Sequence, residues 1–188
     1  MIENSLAKRT ITGVFLIFSV FLIFNSMYFM VSGLLIIGVI SILEFLNLTK
    51  RIFKKKIYYL VSNFLFIFFI SLFSIFFFIL YNFAQSKFIL FILLIGCIAS
   101  DIGGFLFGKI FKGPKLTKIS PNKTISGAIG SFILTCIAVS GLIYHETNLF
   151  NFSFFLIGLM TSFFCQFGDL FFSYLKRKAK LKDTGNFL

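Results

Sequence analysis

Tryptophan is absent from this sequence, histidine occurs once, and only six of 188 residues are acidic. Without tryptophan the usual indole belt at a membrane boundary is missing. With 18 Lys and Arg against those six acids, the formal charge is +12. Cysteine is scarce as well: Cys97, Cys136 and Cys165 lie far apart in apolar runs, without any C-x-x-C, and read as small hydrophobes in helices.

What is abundant is apolar surface. Hydrophobic residues make up 59% of the chain and charged ones 13%, against roughly half and roughly a quarter in a soluble domain. The chain is therefore read as an all-α, polytopic integral membrane protein, a single transmembrane domain over residues 1–188. Its 32 Phe suggest nucleotide bias in the coding sequence rather than function. The basic residues fall in short clusters between apolar runs, where orientation in a bilayer explains them better than a nucleic-acid partner, and none is expected.

A helix crossing about 30 Å of hydrocarbon needs about 20 apolar residues. The uncharged run Thr10 to Leu43 is too long for a signal peptide, shows no A-x-A-like cleavage site and is read as retained. It is also too long for one crossing, and Asn25-Ser26 divides it. Six helices are expected, at Ile11 to Phe24, Met27 to Leu48, Ile57 to Tyr81, Phe88 to Phe107, Ser126 to Tyr144 and Phe150 to Phe172. With a cytoplasmic N-terminus, seventeen of eighteen Lys and Arg fall on the cytoplasmic side and only Lys87 outside. That asymmetry predicts both termini in the cytoplasm.

Glu3, Glu146 and Asp183 fall in aqueous segments, and His145 beside Glu146 is expected in an outer loop. Glu44, Asp101 and Asp169 do not. Each lies six or seven residues before the end of its apolar run, about 9 to 10 Å inside the boundary. A charge at the bilayer centre costs roughly 3 kcal/mol on insertion scales, less near the edge, so such groups face a cavity or a partner. Gathered carboxylates repel unless a cation compensates, and Mg²⁺ bound by one or two carboxylates plus substrate phosphates suits this layer. Pairing with nearby Lys or Arg, or snorkelling, is the plainer account.

"SDIGGFLFGK" (Ser100 to Lys109) and "QFGDL" (Gln166 to Leu170) surround two of these acids with glycine. Glycine allows close approach of backbone or ligand, and Gly104 and Gly108 equally make a helix-packing pair. Gly103 to Lys109 also spells G-x-x-x-x-G-K, but Ile110 follows where Ser or Thr is needed and no strand precedes it, which excludes a P-loop. The loop "KIFKGPKLTKISPNKTISG", Lys109 to Gly127, is basic and broken by Pro114 and Pro121, hence partly non-helical. Its lysines suit phosphates as point charges, or anionic lipid headgroups.

Together these segments resemble the phosphatidate cytidylyltransferase (CDP-diacylglycerol synthase) family over the last 88 positions. "DIGGFLFGK" resembles its Asp-x-Gly-x-x-x-x-Gly-Lys segment, "KISPNKTISG" its Lys-x-Ser-Pro-x-Lys-Thr-x-x-Gly loop, and "GDLFFSYLKRKAKLKDTG" its signature. Earlier in the chain the likeness is hydropathy, plus Glu44 followed by an aromatic residue. The resemblance implies attack of phosphatidate on the α-phosphorus of CTP, giving CDP-diacylglycerol and pyrophosphate, at the cell's inner (cytoplasmic) membrane. It implies catalytic roles for Asp101, Lys123, Asp169, Lys182 and Asp183. Substrate contacts would come from Lys118, Ser120, Thr124, Ser173, Lys176, Arg177 and Gly185. Mg²⁺, with room for a second cation, would be held by Asp101, Asp169 and Glu44. A homodimer is compatible with it.

The sequence departs from that pattern at Ser126 and Phe172, where the family usually carries Glu, and ends before a Pro-Gly-His-Gly-Gly segment and a second acidic cluster. The 188-residue polypeptide alone is accordingly expected to be inactive or nearly so, and CTP incorporation by it would contradict that expectation. Three rivals remain at this stage. A proton or cation transporter would want polar residues continuing outward, where Phe, Ile and Leu stand. A CDP-alcohol phosphatidyltransferase would need D-x-x-D-G, which is absent. A polyprenol kinase-like enzyme shares the topology.

Overall fold

The computed structural model describes residues 22–117, 119–120 and 123–181. Five long helices carry it: α1 (Met27–Ile52), α2 (Lys56–Asn82), α3 (Ala84–Phe111), α4 (Ile125–Thr147) and α5 (Phe152–Lys178). The shortest, α4, has 23 residues, about 35 Å at the helical rise and enough for the hydrocarbon layer. All five are apolar enough to cross a membrane, so the chain is a multi-pass helical membrane protein. Among the described residues the only strand-like feature is an isolated bridge between Lys115 and Thr124.

Of the expected first crossing, Ile11 to Phe24, everything before residue 22 lies outside the described residues. Residues 22–25 are helical, and Ser26, extended at φ −136° and ψ 127°, separates them from α1 where Asn25-Ser26 predicts a break. The other five helices match expectation in number and place but run further. α3 continues to Phe111 rather than Phe107, and α5 to Lys178 rather than Phe172. Hydropathy marks the hydrocarbon layer, whereas backbone hydrogen bonding persists until a residue leaves helical geometry, as Lys112 does at φ 43°. For the same reason His145 belongs to the last turn of α4, not to a loop; its Nδ1 is 3.6 Å from Glu146 Oε1.

The basic segments share one end of the bundle. The Lys178 ammonium lies 5.8 Å from the Phe53 ring, which joins the end of α5 to the α1–α2 turn. Arg177 Nε donates to the carbonyl of Ile119 at 3.3 Å, which joins α5 to the α3–α4 loop. Lys87 sits at the opposite end, over Tyr81 at 4.5 Å.

Lipid tails are as apolar as leucine, so helices in a bilayer associate through close packing and hydrogen bonds rather than through hydrophobic gain. The most extensive contact, α3 with α4, shows how. A Cβ on Gly103 would stand 2.6 Å from the Gly130 carbonyl oxygen, and one on Gly127 would stand 2.7 Å from that of Gly104. Of the expected packing pair, a Cβ on Gly104 would stand 2.9 Å from Ser131 Oγ and one on Gly108 3.0 Å from Thr124 Oγ1, so both face α4 or its cap. α2 behaves oppositely: it buries only Asn63 and Tyr81 and presents most of its phenylalanines outward, a surface suited to lipid. It is fixed to α1 by the Thr49 hydroxyl, 2.8 Å from Asn63 Oδ1, and by Phe45 stacked on Phe66 at 3.9 Å.

Candidate active site

At the basic end a pocket of about 200 Å³ opens between α3, α4, α5 and the α3–α4 loop. Asp101 of α3 and Asp169 of α5 both line it, together with Lys123 and Thr124 from the loop. The Lys123 ammonium contacts the Asp169 carboxylate directly, with Lys123 mostly covered and Asp169 open to the pocket mouth.

The loop holds Lys123 through its backbone. The Lys123 amide donates to Ser120 O at 3.1 Å, its carbonyl accepts from Leu116 N at 2.8 Å, and Ile125 N donates to Pro114 O at 2.9 Å. The pairing of Lys115 with Thr124 closes the loop on itself, so the lysine is presented from a short hairpin-like turn. Thr124 then caps α4, its Oγ1 accepting from Gly127 N at 3.1 Å. Ser126, where glutamate was expected from the resemblance, accepts from Gly113 N at 3.2 Å. The start of α4, with its positive partial charge, borders the pocket.

Beneath the acids runs a line of small polar side chains. The Ser131 hydroxyl donates to Ser100 O at 2.7 Å, and Ser100 and Ser162 hydroxyls lie 3.3 Å apart. Gln166 Nε2 reaches Ser162 Oγ at 3.1 Å and Ala128 O at 3.3 Å, bridging α5 to α4. Ser100, Ser131 and Gln166 line the pocket. Sequence reasoning did not select them, because single Ser and Gln residues in apolar helices carry no motif. Gln166 precedes Asp169 by three residues, the spacing of helix neighbours, and that spacing was the available signal.

Other expected site residues are placed less centrally. Ser120 shapes the loop, its amide donating to Thr117 Oγ1 at 3.3 Å. Arg177 is engaged with Ile119 O. Ser173 and Lys176 follow Asp169 by four and seven residues on the same face of α5 but do not line the pocket. Lys118, Lys182, Asp183 and Gly185 lie outside the described residues.

The expected convergence of three acids is met by two. Glu44 is absent from the pocket lining because α1 packs chiefly on α2 and only slightly on α5. No group of three His, Cys, Asp or Glu side chains placed for a metal occurs among the described residues. Two carboxylates with hydroxyl and amide oxygens nearby still fit a hard cation such as Mg²⁺, which takes its remaining ligands from water and substrate phosphates.

The family model of the cytidylyltransferase family matches residues 2–188. The chain belongs to this family. Membership thus extends across the N-terminal helices, where the sequence alone offered little beyond hydropathy. A phosphatidate cytidylyltransferase of Rickettsia typhi is 33% identical over 201 residues, covering 99% of this chain and 82% of that relative. One of Helicobacter pylori is 35% identical over 51% of this chain and 36% of the relative. Phosphatidate cytidylyltransferase 4, chloroplastic, of Arabidopsis thaliana is 40% identical over 50% of this chain and 24% of the relative. The matched region thus spans most of the Rickettsia typhi relative but well under half of the other two. No solved structure matches significantly.

Proposed function

We propose that this protein acts as a phosphatidate cytidylyltransferase of the inner membrane, with its basic end in the cytoplasm. One observation carries the reading: a loop lysine and two carboxylates from different helices line one pocket, at the end of the bundle where the bases gather. The phosphatidate phosphate oxygen forms a bond to the α-phosphorus of CTP, the bond to the β-bridging oxygen breaks, and pyrophosphate leaves. Such a transfer needs positioning and charge neutralisation more than covalent help.

Lys123 is the group placed to meet phosphate charge, and the positive end of the α4 dipole lies beside it. At about 200 Å³ the pocket is smaller than the ~300 Å³ at which small-molecule sites begin. It therefore suits phosphate groups, with base and ribose outside. Mg²⁺ held by Asp101 and Asp169 would neutralise phosphate oxygens. Lys176 adds positive charge further along the α5 face that carries Asp169, and Arg177 holds the loop against α5.

A transporter reading is disfavoured by what lies beyond the pocket: the adjoining groove on the α3–α5 face is lined by apolar side chains. Equilibrium binding of radiolabelled CTP to the protein in phosphatidate-containing nanodiscs tests the reading. Saturable binding displaced by CTP but not by GTP is expected. Absence of binding, or displacement by any triphosphate alike, would overturn it.

A further inference from the structure

A shallow apolar groove, largely open on its outer side, runs along the outer face of the α3–α5 contact. We propose that it seats one acyl chain of the phosphatidate whose phosphate enters the polar pocket. The proposal rests on the functional reading above and adds to it where the tail of the lipid lies.

The groove and the polar pocket share a wall. Cys165 lines both; Cys97 and Cys165 precede Asp101 and Asp169 by four residues each, about 6 Å along their helices. From Cys165 the groove follows α5 back through Met160 to Leu156, nine residues or about 13 Å further from the charged end. A phospholipid with its phosphate beside Lys123 has its chains pointing in that same direction. Headgroup depth and tail direction therefore both match a groove that begins at the wall of the polar pocket and runs away from the charged end.

The chemistry of the wall selects a hydrocarbon. Leu93, Leu156, Met160 and Phe164 supply apolar surface. The one hydroxyl, on Thr161, is turned into its own helix by donating to Ile157 O at 2.8 Å. The thiols of Cys97 and Cys165 face each other at 3.1 Å. No polar group of the wall is left to attract water.

Photo-crosslinking with phosphatidate carrying a diazirine near the end of one acyl chain tests the seat on the unaltered protein. Label is expected in peptides containing Leu93–Cys97 and Leu156–Cys165, suppressed by unlabelled phosphatidate and not by phosphatidylcholine. Label on α1 or α2 instead, or equal suppression by phosphatidylcholine, would mean bulk lipid only and overturn the proposal. A second measurement uses Met160→Trp, which fills the groove from its exposed side. Binding of dioleoyl phosphatidate should weaken at least fivefold while dioctanoyl phosphatidate binds as before; equal effects on both contradict the seat. Failure of CTP binding with groove labelling intact would remove the reaction and leave the lipid seat standing. Intact CTP binding with label elsewhere would do the reverse.

Discussion

Lys123 and Asp169 define the chemistry at the scale of single residues. Their contact joins a loop to α5, and Asp101 on the same pocket has no ion pair within 4 Å among the described residues. Hydrogen bonds to charged groups contribute about 1.5–3 kcal/mol, or roughly 10- to 100-fold in affinity at 1.4 kcal/mol per decade. Lys123→Ala should therefore weaken CTP binding by about that factor, read by equilibrium dialysis; an unchanged affinity would remove the lysine from the site. Asp101 and Asp169 were legible in the sequence because a carboxylate in an apolar run stands out. Ser100, Ser131 and Gln166 were not, since small polar side chains are common in membrane helices and acquire meaning only when three helices bring them together. Glu44 carried the same signal as the two aspartates but sits on a helix that packs elsewhere, and helix packing is what a linear sequence does not display.

Elements set how closely those residues approach. The α3–α4 contact is made through glycines whose missing Cβ atoms leave room for the facing backbone, and α3 carries Asp101 two residues before Gly103. Overpacking costs typically 1–3 kcal/mol. Gly103→Ala should lower the thermal midpoint of the protein in nanodiscs, because its Cβ meets the Gly130 carbonyl oxygen, which cannot rotate away. Gly168→Ala, where nothing lies within 4 Å, should leave the midpoint unchanged. Equal effects at both positions would show that the α3–α4 approach is not limiting. The place and order of the five described helices were readable from hydropathy, but helix ends were not, because α3 and α5 continue through basic turns that a hydropathy scale scores as loop.

Across the whole molecule, the basic segments between α1 and α2, between α3 and α4 and at the end of α5 converge on one end, with Lys87 at the other. The count of lysines and arginines already implied such an asymmetry; the contacts that make it geometric, Lys178 with Phe53 and Arg177 with Ile119, were not visible in it. The proposed orientation, basic end inside, follows the positive-inside tendency and is testable. Single cysteines placed at Lys54 and Lys115 in a variant lacking the three native ones should react with an impermeant maleimide only in inside-out vesicles. One placed at Lys87 should react only in intact spheroplasts. Lys54 and Lys115 labelled from opposite sides would break the shared basic end.

Binding of CTP to the wild type and to Asp169→Asn, with and without Mg²⁺, tests most directly whether the two carboxylates form a cation-bridged phosphate site. Without the metal, two carboxylates repel a triphosphate, so the variant should bind CTP at least as tightly as the wild type. With Mg²⁺ the order should reverse, the variant binding about tenfold more weakly as a charged ligand is lost. An Asp169→Asn affinity that ranks the same way with and without Mg²⁺ would contradict the account.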